Sequence, residues 1–137
     1  MKKKISILVA DDNSVVRDSL KSVISYMENS TLIGEAENGE EAISLAKELS
    51  PDIILMDINM SPVNGFEATR KIIKDNPKSK IIGFSDNRKA SHIKNMLQLG
   101  AKGYVVKGSS FETIIEAIEK VNAGERFIDK EVEGELK

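Results

Sequence analysis

The chain has 137 residues with 20 basic and 22 acidic side chains, a formal net charge of −2, 40% hydrophobic residues, one histidine and no cysteine. That length suits one domain with one core. The charge balance excludes a large basic nucleic-acid-binding face, the lack of cysteine excludes disulfides, Cys-based zinc sites and thiol nucleophiles, and no apolar run reaches the ~20 residues of a membrane span or resembles a signal peptide, so a cytoplasmic protein is expected.

Lys2-Lys3-Lys4 is the only basic run and reads as a solvated lead-in to a strand. Ile5 to Ala10 is that first strand, ending on Asp11 and Asp12. Asn13 and Ser14 then suit a helix N-cap, and Val16, Leu20, Val23, Ile24 and Met27 give the first helix one apolar stripe. Thr31 to Glu37 is the second strand, and Asn38-Gly39 is a turn. The second helix runs from about Glu40 to Leu49.

After Pro51, the run Asp52-Ile-Ile-Leu-Met-Asp57 lacks alternation, which suits a parallel strand covered on both faces. Ile58 to Gly65 is a loop, and Phe66 to Asp75 a helix stopped before Pro77. Lys80 to Phe84 is the fourth strand, and Asn87 to Leu99 the fourth helix, closed by Gly100. His92, on that helix, reads as a surface residue, and a single histidine excludes a multi-histidine metal site. Lys102 to Val106 is the fifth strand. Phe111, Ile114, Ile115, Ile118 and Val121 form the stripe of the fifth helix, closed by Gly124. Residues 125–137 are charged and weakly patterned, a tail or the start of a linker after a domain of residues 1–124.

Five βα units with short connections predict an α/β protein with a parallel five-stranded sheet and helices on both faces. Asp11 and Asp12 end the first strand, Asp57 the third, Ser85 the fourth and Lys107 the fifth. In open α/β sheets that edge binds ligands where the strand order reverses. With order 2-1-3-4-5, the three acids share one pocket. Singly, each has an ordinary explanation as a cap or turn residue. Together, the carboxylates repel; raised pKa values could relieve that, and a hard cation such as Mg²⁺ relieves it better. Lys107 and Ser85 would meet phosphoryl oxygens, leaving Asp57 as a nucleophile able to form an aspartyl phosphate.

The stretches "LVADDNSVVRDSL" (Leu8 to Leu20), "PDIILMDINM" (Pro51 to Met60), "NGFEATRKI" (Asn64 to Ile72), "IIGFSDN" (Ile81 to Asn87) and "GAKGYVVKGSS" (Gly100 to Ser110) together resemble the receiver domain of two-component response regulators, over residues 4 to 124. The resemblance implies a flavodoxin-like, doubly wound (βα)₅ fold and a phosphorylation-activated switch served by a sensor histidine kinase. It implies Asp57 as phosphoacceptor, with Ser85 and Lys107 assisting. Asp12 would ligate Mg²⁺ directly, Asp11 through water, and Asn59 through its backbone carbonyl. Asn59 and Asn87 would tune phosphoryl lifetime. Tyr104 would be the aromatic partner of Ser85, rotating inward and changing the strand 4–helix 4–strand 5 face.

One departure is Ser61, which stands where the family pattern D-x-x-M-P has proline; Pro62 follows, and Gly65 keeps its place. The exit "SFETIIEAIEKVNAGERFID" is similar to receivers that precede a LuxR/NarL-type helix-turn-helix domain, which this chain lacks. It is either a cut piece of such a transcription regulator or a stand-alone receiver, and "DKEVEGELK" suits a cut linker better. DNA would then be contacted only through a domain outside these residues. A homodimer on phosphorylation would use helices 1 and 5 or the strand 4–helix 4–strand 5 face. The competing readings are a non-phosphorylated receiver-like interaction module, for which the altered loop speaks, and an FMN binder of the same topology, against which the acidic "ADDNSVV" speaks. A dehalogenase-type phosphatase would need its two acids spaced by two residues rather than adjacent.

Overall fold

A computed structural model describes residues 3–136. The elements follow in the order β1 (Ile5–Ala10), α1 (Ser14–Tyr26), β2 (Ser30–Ala36), α2 (Gly39–Leu49), β3 (Ile53–Met56), α3 (Gly65–Asp75), β4 (Ile81–Ser85), α4 (Ala90–Gln98), β5 (Gly103–Val106), α5 (Phe111–Asn122), β6 (Phe127–Ile128) and α6 (Lys130–Glu133), with a final 3₁₀ turn at Gly134–Leu136. All strand pairs are parallel, in the order β2-β1-β3-β4-β5-β6. The expected order is present, and β6 adds one short edge strand to the expected five.

Successive side chains of a strand point to opposite faces, and the core divides accordingly. Ile5, Ile7 and Val9 of β1 join Ile53 and Leu55 of β3 under α1 and α5. Leu8, Ala10, Ile54 and Met56 join the opposite cluster with Ala68 and Ile72 of α3 and Ile93 and Met96 of α4. Ile7, Leu8 and Val9 are all withdrawn from solvent, so both faces of the central strand are covered. Each large side chain so buried contributes roughly 1.5–3 kcal/mol.

Local chemistry sets the helix ends. Asn13, Asn38, Asn64 and Ser110 each accept a backbone N–H of the first turn of the helix they precede. The fourth helix starts at Ala90 rather than Asn87, because the Asn87 side chain accepts the Lys89 N–H and holds a turn there. Lys3 and Lys4 are exposed, as a solvated lead-in requires; Lys2 lies outside the described residues. His92 is half-buried rather than on the open surface, stacked on Phe66 with ring centroids 5.7 Å apart.

The charged segment after Gly124 folds back on the sheet. Phe127 pairs with Gly103 and Ile128 with Tyr104, while Val132 is fully buried in the cluster that holds Ile93, Met96 and Tyr104.

Candidate functional site

The site is built by chain reversals at the C-terminal ends of β1, β3, β4 and β5. Register does most of the positioning. The Asp57 N–H donates to Ala10 O at 2.9 Å, tying the residue after β3 to the end of β1. The Lys107 N–H donates to Ser85 O at 2.9 Å, tying the residue after β5 to the end of β4. Asp11, Asp57 and Lys107 thereby converge. Lys107 Nζ lies 2.7 Å from Asp11 Oδ2 and 3.4 Å from Asp57 Oδ1.

Asp11 and Asp57 are buried and Asp12 is exposed at the rim, and one carboxylate oxygen from each lies within 4.8 Å of the others. The Asp11 Oδ1 accepts the Asn13 N–H at 2.9 Å. Its Oδ2 is close to Lys107 but lacks an aligned hydrogen bond, so a buried anionic oxygen keeps spare acceptor capacity. An all-oxygen set of three acids, two of them buried and one open to water, fits a hard divalent cation that retains part of its hydration.

The electrostatics follow from this crowding. Burial first, and the Asp11 charge second, push the Asp57 carboxyl up to about 6, against the opposing pull of Lys107 and the Asn59 N–H. Burial works against the Lys107 ammonium, but the Asp11 and Asp57 carboxylates together outweigh it and hold its pKa above the ordinary lysine value. The lysine stays charged, and one cation faces two buried anions.

Ser85 is fully buried, and its Oγ accepts the Asn87 N–H at 3.1 Å. Asn59 is exposed, and its N–H reaches Asp57 Oδ1 at 3.3 Å. Tyr104 is fully buried and its hydroxyl donates to Asn87 O at 2.6 Å. Burial, foremost, keeps the Tyr104 phenol above its usual pKa, so it remains a donor. The ring is therefore turned inward, beside the loop that follows Ser85. The three acids, the serine and the lysine expected at this edge lie at it; Asn59 and Asn87 stand in the loops after β3 and β4, and Tyr104 lies within β5 with its hydroxyl reaching Asn87. The Ser61-Pro62 peptide is cis, on an exposed part of the β3–α3 loop.

Two further residues shape the site; both lie in the quoted stretches, but neither was singled out there. Arg17 is mostly buried; its Nη1 donates to Asp11 O at 2.7 Å, while Glu35 and Glu37 flank the guanidinium at 3.3 and 3.6 Å. A basic residue in the first turn of a helix opposes the helix dipole, and that local mismatch was the available signal. Gly83 pairs with Tyr104 across β4 and β5, and a Cβ there would stand 3.0 Å from Tyr104 Cδ2. Its missing side chain makes the seat for the inward ring.

A doubly wound sheet with three acids, a serine and a lysine at its switch point defines a response-regulator receiver. The chain belongs to that family: the family model for the response regulator receiver domain matches residues 7–119. It is a receiver of the NarL/LuxR type. It is 35% identical to the response regulator GacA of Pseudomonas aeruginosa over 96% of this chain and 62% of that protein. It is also 35% identical to the nitrate/nitrite response regulator protein NarL of Escherichia coli K12, over 91% of this chain and 58% of NarL. A LuxR-family two-component response regulator from Aurantimonas sp. SI85-9A1 superposes with a TM-score of 0.94 at 29% identity, covering 98% of this chain and 96% of that one. The response regulator domain of Thermotoga maritima CheB gives 0.83 at 30% identity, covering 88% and 98%. The chain thus spans about three-fifths of the length of the curated relatives it matches. Among the described residues, no helix is long and apolar enough to cross a membrane.

Proposed function

We propose that the chain is a phosphorylation-controlled switch that accepts a phosphoryl group on Asp57 from a sensor histidine kinase, with Mg²⁺ held by Asp11, Asp12, Asp57 and the Asn59 carbonyl. The observation that carries this reading is the buried Asp57 carboxylate, 3.4 Å from the Lys107 ammonium and beside Asp11. An Asp57 oxygen forms the new P–O bond as the P–N bond to the donor imidazole breaks; the imidazole recovers its proton from water. Lys107 neutralises charge on the equatorial oxygens, and the Ser85 hydroxyl donates to one of them once released from the Asn87 N–H. Mg²⁺, when bound, supplies Lewis-acid stabilisation of the same oxygens. Water later cleaves the acyl phosphate, releasing phosphate and restoring the Asp57 carboxylate. Asn59 and Asn87, at the rim, set how readily that water enters.

The phosphoryl group favours the inward Tyr104 ring, because Ser85 moves toward it, and so biases a two-state equilibrium of the β4–α4–β5 region. The output belongs to a DNA-binding domain outside these residues. A homodimer is better served by α1 and α5 than by α4 and β5: Val15, Tyr26 and Phe111 are exposed there, with Tyr26 and Phe111 rings 6.4 Å apart, while the segment Phe127–Leu136 already occupies part of the other face.

Beryllofluoride, which mimics the acyl phosphate, tests this reading by NMR. With Mg²⁺ it shifts the amides of Asp57, Ser85 and Lys107; the Asp57→Asn protein gives no such change. Absence of any Mg²⁺-dependent change in the native chain contradicts the proposal.

A further inference from the structure

Asp129 is a carboxylate only 2% exposed, with no cation within ion-pair distance among the described residues. Three donors satisfy it instead. Its Oδ2 accepts the Val106 N–H at 3.0 Å and the Ser109 hydroxyl, and its Oδ1 accepts the Glu131 N–H at 3.0 Å. Its own N–H donates to Tyr104 O at 2.9 Å. One residue of the C-terminal segment therefore grips β5 at Tyr104 and Val106 and the loop at Ser109, on either side of Lys107.

Two other contacts run from the same segment to the site's surroundings. Glu131 reaches Arg88, in the loop after Ser85, at 3.5 Å. Ile128 stands beside Tyr104 across the β5–β6 register, so its side chain shares a sheet face with the tyrosine ring, and Val132 is buried in that same cluster. The inward ring forms part of the floor on which the segment rests.

We propose that Asp129 is a positioning residue for the site: it fixes the end of β5 that carries Tyr104 and Lys107, so that docking of residues 127–136 and the phosphorylated arrangement of the site reinforce each other. This inference rests on the proposed Asp57 switch. Because coupling between two equilibria is reciprocal, it predicts effects in both directions. Occupying the site tightens the segment, and loosening the segment weakens occupancy.

The test uses the full chain with Mg²⁺ and beryllofluoride, following amide exchange at residues 127–132 and, by ¹⁹F NMR, the bound fluoride itself. In the native chain, binding slows that exchange roughly fivefold. Asp129→Ala weakens beryllofluoride affinity by a similar factor, and Asp129→Asn, which keeps one acceptor oxygen, by less. Ile24→Ala, a core change on the far side of the sheet, lowers stability yet leaves the affinity unaltered. The two tyrosines make the ring of Tyr104 readily assignable, and its signals broaden or shift in Asp129→Ala. Bound beryllofluoride with unchanged exchange at 127–132 and native affinity in Asp129→Ala overturns the inference while leaving the switch intact. No bound fluoride in the native chain removes the switch, and the inference with it.

Discussion

Asp57 sits in the folded protein as a carboxyl that gives up its proton only near pH 6, against 3.8 ordinarily. Between these values the folded state binds more protons than the unfolded state. Stability of the metal-free protein therefore falls as pH rises through that window, and the loss is complete above about pH 6. The full cost is on the order of 3 kcal/mol. Asp57→Asn should stabilise the metal-free protein at pH 7.5 by about 2 kcal/mol in urea titration, and the gain should vanish near pH 4. A gain independent of pH would show that charge repulsion is not its cause. Asp12 is exposed, so its removal relieves much less repulsion. Asp12→Ala should leave stability within about 0.5 kcal/mol of native while abolishing Mg²⁺-dependent phosphorylation.

At the scale of elements, two glycines make the site's geometry affordable to the backbone. A Cβ on Gly65 would lie 2.1 Å from the Asp57 carbonyl oxygen, a backbone atom that cannot move without moving Asp57 itself. Gly65→Ala should cost about 3 kcal/mol or more by denaturant unfolding, whereas Gly134→Ala, which meets nothing within 4 Å, should be near neutral. Gly83→Ala presses on Tyr104 at 3.0 Å and on Met96 Cε at 3.3 Å, and it should shift the ring outward at a cost of about 1–2 kcal/mol, read from the Tyr104 ring signals. Gly65 could be singled out in the sequence because it keeps the place that the resemblance to receiver domains gives it. Gly83 could not, because its role depends on register with Tyr104. The five βα units were legible because each buries a continuous run or a helical stripe. The two-residue β6 was not, because Phe127 and Ile128 sit among charges and their partner strand is set only by the folded edge. Asp129 caps the short α6, but nothing local in the charged stretch around it shows that its second oxygen reaches Val106.

For the molecule as a whole, the sheet brings five scattered residues to one edge. The acids, serine and lysine were legible there because a parallel βα order dictates which strand ends are neighbours. What their types could not convey was the burial difference between Asp11 and Asp12, or the inward state of Tyr104, since both depend on packing by distant elements. The exposed Tyr26 and Phe111 place the dimer prediction at this scale. Phosphorylated protein should sediment as a dimer, and Tyr26→Asp should keep it monomeric without slowing phosphorylation.

The most direct test of the switch is intact mass after incubation with a small-molecule phosphodonor. With Mg²⁺ the native chain should gain one phosphoryl group, mapped by peptide analysis to Asp57, and should gain none when the cation is chelated. A phosphoryl group on another residue, or equal labelling of the Asp57→Asn chain, would contradict the account.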